Sequence, residues 1–189
     1  MRATSFYRPF WVGIAAFVLL ASLQAHAQAT PKKTAPAAPP PTNAALSAIQ
    51  NVGIKTCAPA IERLSRLAIE RTVGHDVLLD WDRKNANAAP VFLLIGLEYP
   101  DAGAALSLTA VPRDDGSCTV AAERISSAPV SCQMVAQSEL QSMRATHLLP
   151  TFKVYTDPKD PTATVSLIDA PPGCLVIRRY VEYHWTPPR

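Results

Sequence analysis

The sequence predicts an α+β domain, a mostly antiparallel sheet of about six strands with two or three helices on one face, stapled by two disulfides. Three observations carry that expectation. Helical and strand periodicities alternate along residues 44–189. Turn signals such as Asp115-Gly116 and Pro171-Pro172-Gly173 join neighbouring extended runs as hairpins, and these outnumber any parallel crossover. Four cysteines form an even set in a chain that opens like an exported protein.

Residues 44–51 read as a short helix with Asn43 available as its cap. A longer helix is expected over 57–73. Thr56 can cap it, Pro59 falls in the first turn where a missing N–H costs nothing, and Gly74 offers a left-handed stop. Ile61, Leu64, Leu67 and Ala68 would make its apolar face. Strand signals follow at 77–81 and at 91–98. The second, VFLLIGLE, is a nearly continuous apolar run, the pattern of a strand buried on both faces. Residues 106–111 and 118–125 flank the turn PRDDGS. Another helix fits residues 131–143, and extended runs follow at 151–156, 164–168 and 174–185.

The first 43 residues belong to no core. Arg2 and Arg8 precede a 13-residue uncharged run from Trp11 to Leu23, and Ala25-His26-Ala27 is an A-x-A cleavage site, so residues 1–27 read as a secretory signal. Thirteen residues rise roughly 20 Å as a helix, short of the ~30 Å hydrocarbon core. The competing reading is an uncleaved signal-anchor. Residues 28–43 hold five Pro and four Ala in 16 positions, a composition for polyproline II or disordered spacer rather than packed structure.

Charge narrows the partners. The whole chain has 18 Lys plus Arg against 15 Asp plus Glu, but two arginines lie in the signal and Lys32 and Lys33 in the spacer. Residues 44–189 are left with 14 basic against 15 acidic, which provides no footprint for nucleic acid. No stable membrane span is expected once the signal is cleaved.

Cys57, Cys118, Cys132 and Cys174 contain no C-x-x-C and no paired metal-ligand spacing, so two structural disulfides are the expectation. An internal echo bears on the pairing. Cys57 and Cys132 each fall in the first turn of a helix, and Cys118 and Cys174 each open a strand after a Gly-containing turn. That echo favours Cys57–Cys118 with Cys132–Cys174. Sequence proximity favours Cys118–Cys132 with Cys57–Cys174. The spacings, 61 and 42 residues, differ too much for a sequence repeat.

Two polar constellations could carry function. In RRYVEYHW, strand alternation places Arg178, Tyr180, Glu182 and His184 in one row, a mixture of cation, phenol, carboxylate and imidazole suited to recognising a partner. The competing reading is a solvated strand face. In GHDVLLDWDRKN, Asp76, Asp80 and Asp82 have even spacing near His75 and could hold a divalent cation or act as acid and base. Alternation of Val77, Leu79 and Trp81 explains the same pattern as one inward face and one acidic, solvated face. G-x-S-x-G, S-x-x-K, H-E-x-x-H and glycine-rich phosphate loops are all missing from the sequence. No catalytic residue, metal ligand or cofactor is therefore assigned.

The functional expectation is an exported bacterial envelope protein, periplasmic or secreted, that acts as a non-catalytic binding module on another envelope or secreted protein. It would be an accessory, inhibitor-like or immunity-like component. The alternative class is a small periplasmic hydrolase or metal-dependent enzyme using Asp76, Asp80 and Asp82. A third is a spacer-mounted component held at the membrane by an uncleaved N-terminus.

Overall fold

The computed structural model describes residues 42–187. The expected signal, 1–27, and nearly all of the 28–43 spacer lie outside them. The first helix, α1 (Ala44–Asn51), begins where expected, because the Asn43 carboxamide oxygen accepts from the Leu46 N–H at 3.1 Å. Asn43 also donates from Nδ2 to the Ser65 hydroxyl at 2.9 Å, and Ser65 in turn donates to the Ile61 carbonyl. That chain of bonds satisfies a fully buried hydroxyl and ties α1 to the second helix.

The second helix, α2 (Ala58–Ile69), differs from expectation at both ends. Cys57, not Thr56, occupies the cap position, at φ 63° and with no side-chain cap. Asn87 organises the approach instead: its Oδ1 accepts from the Lys55 and Thr56 N–H groups, and its Nδ2 donates to the Gly53 carbonyl. The helix stops four residues early because Thr72 turns the chain, donating from both N–H and hydroxyl to the Ile69 carbonyl. Gly74 is not a left-handed stop; it is the first residue of a strand. Ala60, Ile61, Ser65 and Ile69 are buried, whereas Leu67 points into solvent.

Eight strands follow rather than about six: β1 (Gly74–Trp81), β2 (Val91–Tyr99), β3 (Ala102–Pro112), β4 (Cys118–Ala128), β5 (Arg144–Leu149), β6 (Phe152–Asp157), β7 (Asp160–Ala170) and β8 (Gly173–Trp185), with α3 (Cys132–Glu139) between β4 and β5. The strand that periodicity misses is β5, RATHLL. All six of its residues are exposed, so no buried face imprints an alternating pattern, and only pairing with β6 holds it.

All eight strands form one antiparallel sheet in the order β1-β2-β3-β4-β8-β7-β6-β5. The order shows a duplicated plan. A helix followed by a four-stranded meander (α2, β1–β4) is repeated as α3, β5–β8, and the last strands of the two units pair antiparallel at the centre. The disulfides repeat it too. Cys57–Cys118 and Cys132–Cys174 each tie the start of a helix to the start of the final strand of its own unit. At the second junction, Gly173 is required by close approach: a Cβ there would meet the Ala128 carbonyl oxygen at 2.4 Å.

Each unit has its own core. Ile61, Ile95, Leu108 and Val120 anchor the first, under α1 and α2; Val135, Leu167, Cys174 and Val176 anchor the second, under α3. Cross-strand register places both on the same face of the sheet. Among the described residues, the opposite face carries no helix. This overturns the two-sided burial expected of β2: Val91, Leu93, Ile95 and Leu97 are buried, while Phe92 and Leu94 are each 49% exposed. Hydrophobicity on the uncovered face hides the alternation. Among the described residues, no helix is long and apolar enough to cross a membrane.

Candidate binding groove

The polar row expected on the last strand falls at the junction of the two units. Tyr180 and Glu182 stand opposite Ala122 and Val120, both buried, so they project toward the helices. Arg178 shares that side and reaches α3, where it donates to the Glu139 carboxylate. Opposite it in register, Arg124 turns the other way and lies 5.2 Å from the centroid of the Tyr99 ring. Each central arginine is thus satisfied within its own unit.

His184 does not join the row. Three steps on β8, from Glu182 to Trp185, span only two on β4, from Val120 to Cys118. This bulge reverses the side-chain parity, because a strand alternates strictly by two. Trp185 therefore turns inward and is buried, and His184 points out beside the β3–β4 turn. The Thr119 hydroxyl donates to the Tyr183 carbonyl and satisfies part of the interrupted ladder. His184 Nδ1 lies 3.4 Å from the Asp115 carboxylate. Hydrogen bonds from the Ser117 hydroxyl and then its N–H hold the Asp115 carboxyl down to about 2, with smaller contributions from His184 and Arg113. The carboxylate is thus an ionised turn brace at neutral pH.

Between α2 and β8 runs an open groove of about 500 Å³. Its floor is Tyr180, Glu182 and Trp185; Arg63, Leu64 and Leu67 of α2 form one wall, and Thr186 closes an end. The Tyr180 hydroxyl donates to Glu182. Partial burial first, and the hydrogen bond and charge of Glu182 next, push the phenol up to about 12. At neutral pH the groove therefore presents a protonated phenol locked to a carboxylate, a guanidinium on its wall, and apolar surface from Leu67 and Trp185. Arg63, Leu67 and Glu139 went unassigned as site residues in the sequence. The sequence placed Leu67 on the buried apolar face of the helix; it is exposed because it lies about 200° around the helix from Ser65, which is buried.

The aspartates are not brought together. Asp76 and Asp80 are exposed on the outer face of β1, and four strand residues separate their Cα atoms by about 13 Å, far beyond one cation's coordination sphere. Asp82 lies past the strand end, where its carboxylate accepts from the Lys84 and Asn85 N–H groups and the Asn85 side chain. Those bonds, Asn85's side chain foremost, lower its pKa. His75 is turned inward to the start of α1, with Nε2 2.9 Å from the Thr42 carbonyl. Among the described residues, no group of three or more His, Cys, Asp or Glu is placed to hold a metal.

No protein-family model, curated protein or solved structure matches the chain.

Proposed function

We propose that the chain is an exported, non-catalytic binding module whose partner, another envelope or secreted protein, inserts a projecting loop into the groove between α2 and β8. The observation that carries this reading is the exposed Leu67 facing Tyr180, Glu182 and Trp185 across that groove. An apolar or aromatic side chain of the partner packs on Leu67 and Trp185, and a polar group meets the Tyr180–Glu182 pair and Arg63. Aromatic and arginine side chains at the centre of a concave surface are the usual carriers of interface energy. The two disulfides and the signal-like segment 1–27 support an oxidising destination, the periplasm or the exterior.

Tyr180→Ala combined with Arg63→Ala tests the groove. A hot-spot loss of about 2 kcal/mol or more corresponds to capture of the partner weakened about 30-fold. Affinity purification from the envelope with wild type and variant side by side measures it, and circular dichroism checks that the variant is folded. Undiminished capture by a folded variant removes this groove from consideration.

A further inference from the structure

Among the described residues, the three helices lie on one side of the sheet and leave its other side, eight strands wide, uncovered. At ~4.8 Å per strand and ~3.3 Å per residue over about eight residues, that face covers on the order of 1,000 Å². A standard stable interface uses about 800 Å² per partner. Large apolar side chains stand out from it, with Leu78 61% exposed and Phe92 and Leu94 each 49% exposed. Leu78, Phe92 and Leu94 form an exposed apolar cluster on β1 and β2, and the rest of the face mixes Ser and Thr with Ile125 and Ile177.

Its charges have a pattern. Following the cross-strand register from Leu78 on β1, the same row runs across the sheet through Glu123 and Arg179 and ends at Arg144 on β5. Glu123 and Arg179 are direct neighbours on the two central strands, paired at 2.9 Å. Asp76 and Asp80 flank Leu78, two residues to either side and on the same face. One edge of the row is therefore acidic, the other basic, and the centre holds one charge of each sign.

We propose that a second copy of this chain covers this face, the two sheets packed outer side to outer side about a two-fold axis parallel to the strands. That axis reverses the strand order while preserving position along the strands. It lays β1 of one copy over β5 of the other, so Arg144 arrives between Asp76 and Asp80. At the centre it sets Glu123 over Arg179 of the other copy and Ile125 over Ile177, because these pairs share rows. The two ion pairs become a ring of four alternating charges beside an aliphatic contact two residues along the strands. A two-fold axis across the strands would instead stack β1 on β1 and set the aspartates against each other. Two sheets about 10 Å apart with strands near −30° form an ordinary aligned sandwich.

Sedimentation equilibrium of the purified chain tests this. The expected mass is twice that of one chain. Phe92→Lys with Leu94→Lys gives a monomer with unchanged circular dichroism. Arg144→Glu weakens the dimer at least tenfold, and adding Asp76→Lys and Asp80→Lys to it restores association; this charge exchange serves should the lysine pair fail to fold. A wild type that stays monomeric at about 100 µM, above the micromolar limit for interfaces of this size, overturns the proposal. A dimer indifferent to all of these substitutions overturns it too. So does a monomer that instead floats with phosphatidylethanolamine–phosphatidylglycerol vesicles, which would assign the face to a lipid surface.

Discussion

Replacing Cys57 and Cys118 together by Ala lowers the stability of the folded chain by about 4 kcal/mol. The bridge closes a 61-residue loop, and removing that constraint restores conformational entropy to the unfolded chain. The bridge also fixes the start of α2, which lids the larger core, to the first residue of β4, with both cysteines buried. For a folded unit of this size, about 4 kcal/mol corresponds to a melting temperature lower by roughly 8–16 °C. The Cys132–Cys174 bridge closes 42 residues and carries a similar expectation. Thermal unfolding with and without dithiothreitol gives the same comparison without mutation. A melting temperature unchanged by reductant would show that the cores alone sustain the fold.

The second large effect separates the two faces of β2. Ile95→Ala removes a fully buried side chain from the core of the first unit and is expected to cost about 2–5 kcal/mol, transfer and cavity together. Leu94→Ala, one residue away, is expected to cost about 0.5 kcal/mol or less, as for a surface position. Urea unfolding in dilute solution, where self-association contributes nothing, measures both. Equal, large losses would mean that something covers the outer face within a single chain.

This contrast marks where the sequence was legible. The α+β class, both hairpin turns and the helix at 44–51 all follow from local signals that tertiary structure did not override. The cysteine echo turned out to reflect a real duplication of topology, although the units share no spacing. What escaped reading has physical causes. In VFLLIGLE both faces are apolar, so periodicity cannot separate a doubly buried strand from one with an uncovered hydrophobic side. In RATHLL nothing is buried, so no pattern is imposed. The bulge on β8 depends on Trp185 reaching the core, a tertiary event that reverses His184 without any local signal. Of the row Arg178, Tyr180, Glu182 and His184, three project to the helix side, and α2 completes the groove from 120 residues away in sequence, beyond the reach of strand alternation.

Occupation of the groove between α2 and β8 by a partner protein is the proposal on which the function rests. Its most direct test is photo-crosslinking in intact cells with Leu67→p-benzoylphenylalanine, at an exposed position on the groove wall. A discrete heavier adduct containing another envelope or secreted protein is expected, abolished when Tyr180→Ala is added. No adduct, or one of undiminished yield with Tyr180→Ala, would contradict the proposal.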